Sequence, residues 1–123
     1  MGSVWLFVYG TLRPGGSAFE TVLGDRVLEI RSGRLPDHGL YGRGLPYPFV
    51  APLAGGQVVG ELLRVPVGVL AETDRYEGPE YSRVEVDVLD EHDRPVRAWT
   101  YLAARPERLS ETSLIASGDW FGA

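Results

Sequence analysis

The sequence predicts one α+β domain in which strands dominate, a small mixed β-barrel or curled sheet with two or three short helices at its margins. Three observations lead to this prediction. Residues 4–8 form an apolar run that passes directly into a glycine-rich loop, residues 81–89 alternate between apolar and charged side chains, and residues 66–78 have the pattern of a short amphipathic helix. A chain of 123 residues is long enough for one core and too short for two, so we expect a single domain over residues 1–123.

The first element is the strand Val4–Val8, whose five consecutive apolar residues are typical of a central strand buried on both faces. Gly10, Gly15 and Gly16 follow it. Glycine permits backbone conformations that are closed to other residues, so successive N–H groups of this loop can point into one concavity. The loop is expected to hold a small anion or a carbonyl oxygen.

Three elements are predicted between the loop and residue 50. A short helix begins with Ser17 as its N-cap and runs to about Leu23, before Gly24. A strand follows from Arg26 and ends at Pro36. Residues 37–50 contain several glycines, prolines and aromatic rings, so they predict short extended pieces along a core edge or, as the alternative, around a pocket mouth.

The middle of the chain predicts a strand over Gln57–Val65 and a helix that begins at Pro66. The helix runs to about Tyr76, with Val67, Leu70 and Ala71 on its apolar stripe and Gly78 just past its end.

The last part of the chain predicts an antiparallel hairpin, since the alternating strand 81–89 is followed by a polar connection and a second strand, 96–103. A short helix is expected near Ser110. Trp120 and Phe121 either close the core, which we favour, or contact another chain, and the oligomeric state stays open.

Composition restricts the possible functions. The 12 basic residues, all arginine, are outnumbered by 17 acidic ones, giving a net charge of −5. Arginines that form no run in an acidic chain argue against nucleic acid or an anionic membrane as partner. The chain has no cysteine and only two distant histidines, which argues against a metal site. No signal peptide or membrane-length apolar segment is apparent, so we expect a soluble, cytoplasmic protein.

Carboxylates are therefore the main candidates for catalysis, and Glu77 is the most suggestive because it lies where the predicted helix ends. The helix dipole and burial would raise its pKa and suit it to act as a general base, whereas Arg75 or Arg83 nearby would lower the pKa. The alternative is an exposed residue at a helix end. Thr11 is expected to hydrogen-bond rather than act as a nucleophile, and Arg13 is either a solvated charge or a clamp for a carboxylate.

Two segments together resemble one known family. Val8-Tyr9-Gly10-Thr11-Leu12-Arg13 is similar to the Tyr-Gly-(Thr/Ser)-Leu signature of the gamma-glutamylcyclotransferase-like, or AIG2-like, proteins. Residues 74–84 are similar to the second signature of that family, a helix end Asp-x-x-Glu-Gly followed by Tyr-x-Arg and a strand. Weaker similarities extend over most of the chain, which resembles the compact branch of the family.

The resemblance implies a barrel fold and a cofactor-independent enzyme that cyclises a gamma-glutamyl group to 5-oxoproline and releases a free amine. It implies that Glu77 is the general acid/base, and that Tyr9, Gly10, Thr11, Leu12 and Tyr81 bind the gamma-glutamyl substrate. Glu80, three positions after Glu77, could take its place if the helix boundary differs. The resemblance implies either an amine or an amino acid as the leaving group.

Two other readings of the sequence remain open. One is a small-molecule-binding or interaction protein that keeps this fold and its pocket without catalysis. The other is a plain structural domain, which would make the pairing of a glycine-rich loop with a helix-end glutamate a coincidence. A binding protein has no need for a carboxylate with a raised pKa, so Glu77 favours the enzyme.

Overall fold

The computed structural model describes residues 2–122, and within them five strands close into a barrel. The strands are β1 (Ser3–Val8), β2 (Glu29–Tyr41), β3 (Phe49–Pro66), β4 (Tyr81–Asp90) and β5 (Pro95–Ala103), arranged in the order β1-β3-β2-β4-β5. The barrel closes where β5 returns to β1 through a parallel bridge between Leu6 and Trp99. Its α+β class agrees with the prediction. Met1 and Ala123, the two ends of the predicted domain, lie outside the described residues.

Strand β1 separates two apolar clusters, which explains why its residues are apolar on both faces. Leu6 and Val8 pack into one cluster with Leu63, Val65 and the start of the helix that follows β3. Phe7 points the other way into a second cluster with Leu35, Val58 and Val88. Neighbours in a strand face opposite sides, so the predicted central strand is confirmed.

Strands β2 and β3 are longer than predicted, and the prediction that Pro36 ends a strand is wrong. The pairing continues past Pro36 after a register shift between Pro36 and His38. Asp37 takes a positive φ of 58° there, and its carboxylate accepts a hydrogen bond from the Gly55 N–H at 3.1 Å. Proline has no backbone N–H to donate to the neighbouring strand, and a β-bulge of this kind accommodates it within the pairing.

The helix α1 (Val69–Glu77) begins three residues later than predicted, because Pro66 is the last residue of β3 and Gly68 occupies the N-cap. Its buried face consists of Val69, Leu70 and Thr73, so the predicted stripe is correct for Leu70 and wrong for Val67 and Ala71, which are exposed. The predicted end is correct within one residue. Gly78 follows Glu77 with φ of 76°, a conformation that favours glycine.

The first predicted helix is a single π-helical turn over Phe19–Leu23, followed by a 3₁₀ turn over Gly24–Arg26. Ala18 occupies its N-cap without a side-chain bond, so Ser17 as the cap is wrong. No helix within residues 2–122 is long and apolar enough to cross a membrane.

The C-terminal segment is formed by 3₁₀ turns over Pro106–Arg108, Glu111–Ser113 and Trp120–Gly122. Ser110 caps the second of these by accepting the Thr112 N–H at 3.2 Å, so the helix expected near Ser110 is only one turn long. Trp120 packs against the second apolar cluster. Phe121 remains 54% exposed, which contradicts the expectation that it closes the core.

Candidate active site

A cavity of about 320 Å³ lies between the end of β1, the end of α1 and the start of β4. All six residues predicted to form the site line it, so the structure brings together two segments that are more than sixty residues apart. The lining also includes residues that were not predicted as site residues. The full set is Phe7, Val8, Tyr9, Gly10, Thr11, Leu12, Tyr47, Pro48, Tyr76, Glu77, Glu80, Tyr81 and Tyr101.

One wall is the donor loop, defined here as Gly10, Thr11 and Leu12. The conformation of the loop is stabilised by hydrogen bonds that its carbonyl oxygens accept. The Arg13 N–H donates to the Gly10 oxygen at 3.1 Å, and the Ala18 N–H donates to the Thr11 oxygen at 3.0 Å. Within residues 2–122, the three N–H groups of the donor loop themselves donate to no protein acceptor. Backbone N–H groups left unpaired beside a cavity suit an anion or a developing oxyanion.

Gly10 is required by close packing rather than by its backbone conformation. A Cβ at this position would lie 2.7 Å from Pro48 Cγ, much closer than van der Waals contact allows. Glycine thereby lets the donor loop approach the segment that carries Tyr47 and Pro48. Only Gly15, further along, has the positive φ (85°) that the sequence suggested for this region.

Glu77 is the last residue of α1 and lies partly buried against the cavity. Burial raises the pKa of its carboxyl group to about 7, because a desolvated carboxylate is disfavoured. Arg83 does not oppose this shift, since its guanidinium donates to the Asp74 carboxylate at 2.8 and 3.2 Å. The alternative of a fully exposed glutamate at a helix end is therefore wrong.

Two tyrosines flank Glu77 and are neutral, Tyr9, which is buried, and Tyr81, which is partly buried. The Tyr9 hydroxyl donates to the Tyr101 carbonyl oxygen at 2.6 Å, and the Tyr81 hydroxyl donates to the Pro48 carbonyl oxygen at 2.8 Å. Burial, followed by the charge of Glu77, raises the pKa of both phenols well above its usual value. Each hydroxyl oxygen keeps a lone pair that can accept a hydrogen bond from a substrate N–H.

The outer part of the cavity is formed by Tyr47, Tyr76 and Glu80, all of which are exposed. We call these three residues the cavity mouth. The Tyr47 hydroxyl donates to a Glu80 oxygen at 3.2 Å, and the Tyr76 hydroxyl is 2.6 Å from Thr11 Oγ1. The second contact gives Thr11 the hydrogen-bonding role that was expected of it.

Arg13 lies outside the cavity lining and is 5% exposed. Its guanidinium donates to both oxygens of Glu61 at 2.8 and 2.9 Å and to Asp119 at 2.7 Å, and the Phe121 ring covers it at 4.2 Å. Of the two roles considered for Arg13, the clamp is the one observed. The carboxylates that it clamps belong to the protein itself.

The sequence did not identify Tyr47, Tyr76 or Tyr101 as site residues. Tyr47 belongs to the aromatic segment for which a core edge was favoured over a pocket mouth, and the structure gives the opposite for this residue. Tyr76 could have been found because it directly precedes Glu77. Tyr101 carried no local signal, because its contacts with Tyr9, Thr73 and Asp74 join distant parts of the chain.

A metal site is not apparent in the described part of the chain, where no three His, Cys, Asp or Glu side chains are grouped so that they could hold an ion. The chemistry available to the cavity consists of one carboxyl group near neutrality, unpaired backbone donors and several phenols.

Similar proteins share this arrangement of strands. The model of a family described as "Gamma-glutamyl cyclotransferase, AIG2-like" matches residues 6–122. A solution structure from Arabidopsis thaliana is 29% identical with a TM-score of 0.75, covering 90% of this chain and 77% of that one. An AIG2-like protein from Mus musculus is 25% identical with a TM-score of 0.72, covering 99% and 94%.

A further structure, named gamma-glutamyl cyclotransferase, is 19% identical with a TM-score of 0.66, covering 84% of this chain and 68% of that chain. At this identity the likeness concerns the fold alone. No curated protein matches the chain by sequence.

Proposed function

The chain belongs to the AIG2-like gamma-glutamyl cyclotransferase family, and on this basis we propose that it converts the gamma-glutamyl group of an amide substrate into 5-oxoproline and releases the free amine. The observation that carries the proposal is Glu77, a carboxyl group whose pKa burial raises to about 7 and which lines the same cavity as the donor loop with its unpaired N–H groups.

The reaction requires little from the protein beyond positioning, because the nucleophile and the electrophile belong to the same substrate. The α-nitrogen of the gamma-glutamyl group attacks its own gamma-carbonyl carbon, a new C–N bond closes the five-membered ring, and the original amide C–N bond breaks. Intramolecular attack of this kind benefits strongly from a fixed conformation. A cavity of about 320 Å³ bounded by Tyr9, Tyr81 and the donor loop can hold the substrate in a folded conformer.

Protons must move from the attacking nitrogen to the leaving one. The α-ammonium group carries three protons, the lactam nitrogen of 5-oxoproline keeps one, and the released amine ends as an ammonium ion, so two protons are transferred and none is consumed. Glu77 in its carboxylate form accepts the first proton from the ammonium group and returns it to the leaving nitrogen, and it then passes the second proton from the ring nitrogen to the released amine in the same way. A pKa near the working pH serves both directions.

The donor loop supplies electrostatic stabilisation. Attack turns the gamma-carbonyl oxygen into an oxyanion, and the unpaired N–H groups of Gly10, Thr11 and Leu12 are backbone donors in the cavity wall that can stabilise it. In other enzymes, removal of one such preorganised donor lowers the rate by about 10²- to 10³-fold. The neutral hydroxyl oxygens of Tyr9 and Tyr81 can accept hydrogen bonds from the substrate ammonium group.

The test is to incubate the purified protein with a panel of gamma-glutamyl amides and amino acids and to measure 5-oxoproline. We expect release from at least one compound, and we expect Glu77→Gln to reduce the rate by about 10²- to 10⁴-fold, the usual contribution of a general acid/base. Glu85→Gln is the matched control, since Glu85 is exposed on β4 and lies outside the cavity lining. Its rate should equal that of the unmodified protein.

Three outcomes would contradict the proposal. Release of 5-oxoproline by Glu77→Gln at an undiminished rate would exclude Glu77 as the proton carrier, and loss of release in Glu80→Gln alone would assign that role to Glu80. Absence of release from the whole panel, with saturable binding of one of its members, would instead identify a binding protein that has this fold.

A further inference from the structure

A short segment outside the cavity lining, residues 118–121, contacts the neighbours of the donor loop. We call this segment the strap. Its start is fixed to β3, because the Gly118 carbonyl oxygen accepts a hydrogen bond from the Val59 N–H at 2.8 Å. The next two residues, Asp119 and Trp120, reach the surroundings of the donor loop by two different routes, one electrostatic and one through packing.

The first route is an ion pair. The Asp119 carboxylate accepts a hydrogen bond from the Arg13 guanidinium at 2.7 Å, and Arg13 directly follows the donor loop. Burial opposes the charge of Asp119, but the hydrogen bond from Arg13 outweighs it and lowers the pKa of the carboxyl group, so Asp119 is ionised at neutral pH. The Arg13 backbone extends this restraint into the loop, since its N–H donates to the Gly10 oxygen at 3.1 Å.

The second route is a series of close contacts that two glycines make possible. A Cβ at Gly42 would lie 2.7 Å from Trp120 Cζ3 and 3.3 Å from Pro48 Cα, so the Gly42 backbone packs against both residues. Pro48 in turn packs against the donor loop, where a Cβ at Gly10 would lie 2.7 Å from Pro48 Cγ. Groups packed at this density do not move independently. Trp120 therefore supports Pro48, and Pro48 supports the donor loop.

We propose that Asp119 and Trp120 are positioning residues, which hold the donor loop in the geometry that its N–H groups need to stabilise the oxyanion. The inference rests on the proposed function and deepens it, since both side chains act through the loop and lie outside the cavity lining. The oxyanion forms only in the reaction, so a displaced donor lowers kcat and leaves KM nearly unchanged. A displacement of about 1 Å can cost about 10²-fold in rate.

Asp119→Asn tests the first route in steady-state kinetics of 5-oxoproline release. The variant removes one partner of Arg13, while Glu61 keeps both of its bonds to the guanidinium, so we expect the fold to persist. We expect kcat to fall about 10- to 100-fold and KM to stay within about 2-fold. Asp119→Glu keeps the ion pair and should recover most of kcat.

Trp120→Leu tests the second route. It keeps an apolar side chain against the second apolar cluster and removes the ring edge that contacts Gly42, so kcat should fall about 10-fold or more at nearly constant KM. In both variants the pH–rate profile should keep its midpoint near pH 7, because the burial that raises the pKa of Glu77 is unchanged.

Each variant has a matched control at a distance from the donor loop. Glu29→Gln is the control for Asp119→Asn, since Glu29 is also paired with arginine and its side chain is 38% exposed, close to the 34% of Asp119. Trp5→Leu is the control for Trp120→Leu, because the Trp5 ring is partly buried against the same apolar cluster. Both controls should keep the kcat of the unmodified protein.

A measurement on the folded molecules is also needed, because an unfolded fraction would lower kcat as well. Amide chemical shifts and ¹⁵N order parameters of the donor loop provide it. The order parameters should fall from about 0.85, the value of rigid backbone, toward 0.6 in Asp119→Asn and Trp120→Leu. The loop should stay ordered in the two controls.

The results separate this inference from the proposed function. An unchanged kcat in both variants, or a lower kcat without any change in the amide signals of the donor loop, would overturn the positioning role and leave the cyclotransferase standing. Failure of the unmodified protein to release 5-oxoproline from the whole panel would overturn the cyclotransferase. The order parameters would then still decide whether the strap orders the loop.

Discussion

The fold treats the two charged side chains next to the donor loop in opposite ways. Arg13 directly follows the loop, is 5% exposed, and has carboxylate partners on Glu61 and Asp119. Glu77 lines the same cavity as the loop, and burial alone raises its pKa. A buried charge with well-aligned partners holds those partners in place. A buried carboxylate without partners keeps its desolvation cost, which raises its pKa and favours the uptake of a proton. Arg13 is thus fixed by its ion pairs directly after the donor loop, whereas Glu77 lines the cavity with a raised pKa.

The largest effect that this comparison predicts is the loss of stability on removal of the ion pairs between Arg13 and Glu61 and Asp119. Arg13→Met should lower the free energy of unfolding by about 3 kcal/mol or more, because it leaves the Glu61 and Asp119 carboxylates without a counter-charge. Urea denaturation measures this value. Arg97→Met is the matched control, since Arg97 also faces two carboxylates, Glu85 and Asp87, but its side chain is 58% exposed.

The control should lose less than about 1 kcal/mol, the usual value of an exposed pair. Equal losses in Arg13→Met and Arg97→Met would show that the burial of Arg13 contributes nothing, and the contrast with Glu77 would fail. Arg13→Lys, which keeps the charge but cannot bind Glu61 through two parallel bonds, should lie between the unmodified protein and Arg13→Met.

The second prediction concerns the stability cost of Glu77. Its pKa is raised from 4.5 to about 7 in the folded state, so the folded protein holds a proton between these values that the unfolded chain releases. Stability should therefore fall as the pH rises from about 4.5 to 7, by about 2–3 kcal/mol for a side chain that keeps some solvent contact. Glu77→Gln removes the ionisation and should not show this part of the pH dependence.

The measurement is the difference in unfolding free energy between Glu77→Gln and the unmodified protein from pH 4 to pH 8. The difference should be near zero at the acid end, and the variant should be the more stable protein above pH 7. A difference that does not change with pH would mean that Glu77 titrates normally in the folded state.

The sequence predicted those parts of the site that depend on local patterns. Five apolar residues followed by glycine located β1 and the donor loop, and Gly78 located the end of α1 and thus Glu77. Local signals were misleading where a tertiary contact compensates for an unfavourable residue. Pro36 stops a strand by its own chemistry, but the bulge at Asp37 and its bond to Gly55 allow β2 to continue.

Partners that are distant in the chain could not be predicted in this way. The clamp joins Arg13 to residues 48 and 106 positions away, and the Tyr47–Glu80 bond spans 33 positions. No periodicity records such pairs, because they form only when the barrel closes. For the same reason, the position of Glu77 at a helix end did not decide whether its side chain is buried or exposed.

The third prediction is a pH–rate profile. If Glu77 must be ionised to accept a proton, kcat/KM should fall about tenfold per pH unit below a pH of about 7, where burial has placed its pKa. The measurement is the initial rate of 5-oxoproline release between pH 5 and pH 7.5 with the best substrate of the panel. A profile that stays level down to pH 5 would indicate a solvated carboxylate and contradict the burial of Glu77.

The smallest predicted effect concerns the bond that joins the donor loop to the helix that carries Glu77. Thr11 Oγ1 and the Tyr76 hydroxyl are 2.6 Å apart on the exposed side of the cavity. Thr11→Val and Tyr76→Phe should each lower the free energy of unfolding by about 0.5–1 kcal/mol, since an exposed neutral hydrogen bond contributes little. The double variant should lose no more than the larger of the two single losses, because either change removes the same bond. Additive losses, measured by urea denaturation, would show that the two hydroxyls act independently and that the donor loop and α1 are joined by packing alone.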